Sequence, residues 1–104
     1  MAMALDYLHK QKIIYRDLKT ENVLLGEDGY IMIIDFGISK YLTEGDEVTK
    51  SYCGTPEYLA PEVIQRIDYS YPIDWWCIGI ITYEMLVGFT PFYSSNESAK
   101  ARDK

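Results

Sequence analysis

Cysteine is scarce in this chain of 104 residues: only Cys53 and Cys77 occur, 24 positions apart. Two distant cysteines make no disulfide scaffold and no zinc-type spacing. They read as thiols of a reducing compartment, which predicts a cytoplasmic location. Basic residues are also few, 10 Lys and Arg against 16 Asp and Glu, for a net charge of −6. That balance argues against binding to nucleic acid or an anionic membrane, though it would suit a basic partner. With 7 glycines and 4 prolines in no period, collagen-like and low-complexity readings fail. The most apolar stretch, Trp75 to Phe89, is interrupted by Glu84 and is shorter than the ~20 residues a bilayer requires. No membrane span is expected. Residues 1–10 have neither a basic start nor a long apolar centre, so they do not read as a signal peptide. The remaining composition, 48% apolar and 25% charged, is that of an ordinary globular domain or part of one.

Residues 1–10 place Met1, Ala4, Leu5 and Leu8 at helical spacing with no cap of their own, which predicts the end of a helix. Ile13 and Ile14 predict a short strand-like entry into a polar loop over 15–22. Val23 to Leu25 and Tyr30 to Ile34 flank Gly26-Glu27-Asp28-Gly29, a hairpin pattern over 23–34. Residues 35–59 lack periodicity, and a loop of that length is usually functional or disordered. A short helix is expected from Pro61 to about Gln65. A longer helix is expected over 72–88: Pro72 suits its first position, Asp74 its positive end, and Gly88 its end. Apolar residues nearly all round it predict burial on most faces. The polar tail over 94–104 looks frayed.

Four short sites stand out in order. They are Tyr15-Arg16-Asp17-Leu18-Lys19-Thr20-Glu21-Asn22; Asp35-Phe36-Gly37 after a predicted strand; Gly54-Thr55-Pro56-Glu57-Tyr58-Leu59-Ala60-Pro61-Glu62; and Asp74-Trp75-Trp76-Cys77-Ile78-Gly79. Any one alone is explained by a turn, a strand end or a helix start. Their joint order, spacing and local structure match the protein-kinase signature. From about residue 4 to 93 the chain resembles the C-terminal lobe of a eukaryotic serine/threonine protein kinase. Tyr15 in the catalytic loop, Cys53 to Tyr58 and the Asp74-Trp75-Trp76 run resemble the AGC group, the relatives of cyclic-nucleotide-dependent kinases. The resemblance implies an α+β fold, mainly helical, with a small hairpin carrying the catalytic loop (15–22) and the Asp-Phe-Gly turn. Residues 35–62 would be the activation segment.

The resemblance also implies roles, and the chemistry explains the residue types. Transfer of a phosphoryl group from ATP is mostly positioning and electrostatics. Asp17 would accept the proton of the substrate hydroxyl, and Lys19 would neutralise the transferring phosphate. Asn22 and Asp35 would offer oxygens to Mg²⁺, which favours such ligands and keeps several waters. Thr55 would bond to Asp17 and Lys19 and favour an alcohol substrate. Phe36 would pack under the hairpin and set whether Asp35 points at the metal, and Gly37 would be structural. Asp74 would hold the catalytic-loop backbone with His9 nearby, and Glu62 would pair with an arginine from a later helix. Thr20 stands where the group usually has proline, with a small expected effect.

Ser51, two residues before Cys53, is the candidate activation-loop phosphosite, with Thr49 as a rival; its phosphate would sit near Arg16 and Lys40. Glu21 and Glu84 resemble the acidic residues that hold a substrate arginine. Tyr52, Pro56 and Leu59 resemble the wall of an apolar pocket for the residue after the target. The alternative is that Glu21 is solvated and Glu84 pairs internally.

A kinase also needs a glycine-rich lid and a strand lysine. Here no two glycines are two apart, and Lys10 and Lys12 lie in no such strand. The expectation is therefore a partial kinase domain whose N-lobe is missing and which is inactive alone. The alternative is a non-catalytic kinase-like regulatory fragment or a truncated gene product.

Overall fold

The computed structural model describes residues 1–43, 45 and 48–92; the tail expected over 94–104 lies outside them. Helix α1 (Ala2–Lys10) turns Leu5 inward. On its exposed side Asp6 and Lys10, four residues apart, form a 2.8 Å ion pair. Lys12, at φ +63°, ends the turn by donating its N–H to the His9 carbonyl. The chain then enters β1 (Ile13–Ile14).

Two small antiparallel sheets follow. Strand β1 pairs with β4 (Lys40–Tyr41), Ile13 facing Tyr41 and Ile14 facing Lys40. This closure of residues 13–14 onto residues 40–41 is a contact the sequence pattern did not announce. Strands β2 (Val23–Leu25) and β3 (Ile31–Ile33) form the hairpin, with Leu24 opposite Met32. Its turn needs Gly29, whose φ of +85° is costly for any residue with a Cβ. Asp28 closes the turn by accepting the Tyr30 N–H at 3.1 Å. At the hairpin's base the Ile34 N–H donates to the Asn22 carbonyl, so the strands bring the residues before Asp35 alongside the end of the 15–22 loop.

Helix α2 (Pro61–Ile64) is a single turn, and α3 runs over Pro72–Val87. Each begins with a proline, whose missing N–H would have no partner there. Gly88, in the left-handed region at φ +99°, ends α3 by donating to the Glu84 carbonyl.

Two apolar clusters meet along α3. One holds Leu5, Tyr15, Leu18, Tyr58, Cys77, Ile80 and Ile81. The other holds Ile14, Leu42, Leu59, Ala60, Val63, Tyr69 and Ile73. Trp76 packs against both. The expectation that α3 is buried on most faces is corrected. Only Ile73, Asp74, Cys77, Ile80 and Ile81 are buried, one stripe at helical spacing. Trp75, Tyr83, Met85, Leu86 and Val87 are exposed. A helix apolar on every side needs a partner on every side, and the described residues furnish one for a single side. No helix among them is long and apolar enough to cross a membrane.

Candidate active site

The site is built on Asp74, which is completely shielded from solvent. Its Oδ2 accepts the Tyr15 N–H at 2.9 Å and its Oδ1 the Arg16 N–H at 2.9 Å. His9 Nε2 donates to Oδ2 at 2.8 Å. Helix α3 thus grips two peptide units of the 15–22 loop through Asp74, and α1 holds Asp74 through His9. Burying a carboxylate is costly unless charge-assisted hydrogen bonds replace its water, and three do so here. The restraint holds Arg16 at φ +72°, a conformation costing about 1–3 kcal/mol and maintained only where the surroundings over-determine it. Asp17 follows directly.

The carboxylate of Asp17 is gathered in from three directions. Thr55 Oγ1 donates to Oδ1 at 2.9 Å, and Lys19 Nζ lies 3.7 Å from the same oxygen. Lys19 in turn donates to Thr55 Oγ1 at 2.9 Å. Asn22 Nδ2 reaches the Asp17 carbonyl at 2.8 Å and Oδ2 at 3.3 Å. Asp17, Lys19 and Thr55 are therefore one hydrogen-bonded group drawn from residues 36 and 38 positions apart in sequence. Gly54 makes Thr55's approach possible. At φ +119°, a Cβ there would stand 2.9 Å from Leu59 Cδ2 and 3.1 Å from the Arg16 carbonyl.

Asp35, at φ +61°, is exposed just beyond the hairpin, and one of its oxygens accepts the Gly37 N–H at 3.0 Å. Asn22 has spent its amide nitrogen on Asp17, which leaves its carbonyl oxygen as the end available to a cation. Among the described residues no group of three or more His, Cys, Asp or Glu side chains is placed to hold a metal ion. One carboxylate and one amide oxygen fit Mg²⁺, which completes its shell with water and phosphate, better than zinc, which wants nitrogen and sulfur.

A sequence profile of the protein kinase domain matches residues 1–104. The chain belongs to the protein kinase family. It is 51% identical over 98 residues to the serine/threonine-protein kinase sgk-1 of Caenorhabditis elegans, covering 94% of this chain and 21% of that protein. Human serine/threonine-protein kinase Sgk1 is 53% identical over 96 residues, covering 92% and 22%. The cAMP-dependent protein kinase type 3 of Saccharomyces cerevisiae is likewise 53% identical over 96 residues, covering 92% and 23%. The chain spans about a fifth of the length of these relatives.

Several kinase-site residues lie otherwise than the resemblance implied. Phe36 is half exposed and meets the Tyr15 ring edge-on, centroids 5.2 Å apart. The Tyr15 phenol reaches past it to donate to the Ile34 carbonyl. Glu84 has internal partners: it accepts the Tyr58 hydroxyl and, at 3.4 Å, that of Thr20. Thr20 thus supplies a donor that proline would lack. Leu59 is 9% exposed and lies in the second apolar cluster, so it is core and not an open wall. Tyr52 and Pro56 are exposed, with the Arg66 guanidinium 4.5 Å above the Tyr52 ring. Lys40 sits in β4 opposite Ile14 and forms no ion pair among the described residues. Glu21 is exposed, while Glu62 is half-buried and meets no cation among the described residues. Neither Tyr58 nor Tyr69 has a role assigned from the sequence. Both are buried phenols whose hydroxyls join distant segments, and only a fold reveals that.

Asp74→Ala leaves two peptide N–H groups without an acceptor in a buried place. It should cost about 3–5 kcal/mol of stability, measured as a fall in denaturant midpoint.

Cys77 lies beneath the site and donates to the Tyr58 carbonyl at 3.3 Å. Burial, helped by the Asp74 and Asp17 carboxylates, pushes its thiol up to about 12 from the usual 9.0. The folded state therefore holds this proton more tightly than the unfolded one. The resulting stability is fully present below pH 9.0 and is lost as pH rises toward 12. Maleimide at pH 7.5 should label Cys53 and spare Cys77 until the chain is unfolded.

Proposed function

We propose that this chain provides the phosphate-accepting half of an ATP-dependent serine/threonine protein kinase, as the C-lobe part of a larger catalytic domain. The grouping of Asp17, Lys19 and Thr55 carries this reading. A substrate hydroxyl placed against Asp17 meets a carboxylate oriented by Thr55 and Asn22. As the alcohol oxygen attacks the γ-phosphorus of ATP and the bond to the ADP oxygen breaks, Asp17 takes the hydroxyl proton. Lys19, beside the same carboxylate, faces the negative charge carried by the phosphoryl oxygens. Asn22 and Asp35 would hold Mg²⁺, which when bound would supply positive charge to neutralise the phosphates. Thr55 positions both Asp17 and Lys19, so the activation segment contributes directly to the site.

In this reading the nucleotide lid and its lysine belong to an N-lobe that these residues do not contain. The purified chain with Mg-ATP and a basic peptide should show no phosphotransfer; turnover abolished by Asp17→Asn would sink the idea. In a kinase domain carrying this segment, Asp17→Asn should lower kcat by ~10²–10⁴-fold. Asp35→Ala should remove activity there through loss of Mg²⁺ positioning.

Ser51 is proposed as the regulatory phosphosite. It is exposed, and its carbonyl is joined through the Tyr69 hydroxyl to the Arg16 guanidinium. Arg16 rather than Lys40 is the nearby cation this geometry favours. Phosphopeptide mapping of the active enzyme should find Ser51 modified; modification confined to Thr49 would reassign the site.

Substrates are proposed to carry arginine a few residues before the target Ser or Thr. Exposed Glu21 is the main anchor, because Glu84 already receives two hydroxyls. Guanidinium suits a carboxylate through bidentate pairing. On a peptide array, replacing the upstream arginine by alanine should lower the rate, and Glu21→Ala should reduce that preference more than Glu84→Ala. Equal rates for arginine and alanine peptides would exclude this assignment.

A further inference from the structure

We propose that Tyr69 is a positioning residue of the catalytic loop, fastening the activation segment to Arg16 from a ledge formed by residues 66–69. Residues 49–52 lie antiparallel along this ledge. Thr49 and Tyr69 exchange two backbone hydrogen bonds of 2.9 Å. One step along in each direction, Lys50 and Asp68 form a 3.5 Å ion pair. Two steps further, Tyr52 faces Arg66. Three contacts at 49/69, 50/68 and 52/66 share one antiparallel register, which describes a docked strip and not a chance touch.

The strip's outer contacts are weak holds. Lys50 and Asp68 are largely exposed, and exposed pairs contribute little. Tyr69 differs because it is 4% exposed and its side chain turns inward. Its hydroxyl donates to the Ser51 carbonyl and accepts from Arg16 Nη1 at 3.2 Å, with Cys53 Sγ also 3.9 Å away. Arg16 Nε donates to the Ile38 carbonyl at 2.7 Å. The guanidinium is therefore fixed at both ends, by the Ile38 carbonyl and by the Tyr69 hydroxyl. Because the Arg16 N–H is bound to Asp74, a continuous run of bonds joins Ser51 to the peptide preceding Asp17. Tyr69 is the link in that run that belongs to neither loop.

The catalytic consequence rests on the phosphotransfer reading, but the positioning itself can be measured without it. Hydrogen exchange followed by mass spectrometry on the full chain compares the native protein with Tyr69→Phe, Arg16→Lys and the double variant. Phenylalanine keeps the ring in the core and removes only the hydroxyl. Amides of residues 50–54 should exchange about tenfold faster in Tyr69→Phe, with those of α3 unchanged. The double variant should be no faster than the faster single one, since the two residues act through each other. Lys50→Ala should leave the rates unaltered. Unchanged exchange at 50–54 in Tyr69→Phe would overturn the proposal. So would acceleration spread equally through α3, which would assign Tyr69 to packing alone, or independent addition of the two substitutions. In a kinase domain carrying the segment, Tyr69→Phe should lower kcat and leave KM for ATP unchanged. Absence of turnover in that kinase domain before substitution would count against the phosphotransfer reading and leave the exchange comparison standing.

Discussion

A single shielded carboxylate, that of Asp74, sets the geometry on which the rest of the site depends. A buried charge must replace its lost water with donors, and here the donors are the peptide groups of Tyr15 and Arg16 and the His9 ring. Satisfying Asp74 therefore fixes two peptide planes of the loop before Asp17. The same contacts join α1 to α3 and close the cluster around Leu5, Tyr15 and Ile80. Packing and loop placement meet here, since one carboxylate bonds both the α1 histidine and the loop peptides.

The loop, once held, is strained where function is expected. Arg16 and Asp35 both have positive φ without being glycine, and each immediately precedes or carries a carboxylate of the candidate site. Such conformations persist only where surrounding contacts outweigh their cost. For Arg16 those contacts are Asp74, the Ile38 carbonyl and Tyr69. For Asp35 the Gly37 N–H and the hairpin base serve. Thr55 then brings residues 54–55 onto Asp17, possible because Gly54 lacks the Cβ that would collide with Leu59 and the Arg16 carbonyl. The segment and the loop thus form one unit: displacing residues 54–55 would free both the Asp17 carboxylate and the Lys19 amine.

Much of the local structure was legible before any fold. The hairpin is written in the glycines at 26 and 29 between two β-rich runs, and α3 in Pro72 and Gly88. Less legible was how α3 would be covered. Apolar residues on every side say that a helix wants partners, but not which partners the described residues provide, and here they cover one stripe. The fate of Glu84 was left open between an arginine anchor and an internal pair. Its sequence position resembles an arginine anchor, while its partners, Tyr58 and Thr20, are 26 and 64 residues away and act through hydroxyls that carry no sequence signal.

The sequence by itself determined the family, because four motifs in order and spacing have no common explanation but shared descent and chemistry. It also determined the local elements, since proline, glycine and β-branched residues act on their own backbone. Only the tertiary structure decided which donors satisfy Asp74, that Thr55 and Lys19 meet on Asp17, that β1 closes on β4, and that Leu59 is core. The physical reason is one of range. Backbone preference acts over a few residues, whereas a hydrogen bond between positions 17 and 55 exists only after the packing of the apolar clusters has set the distance between them.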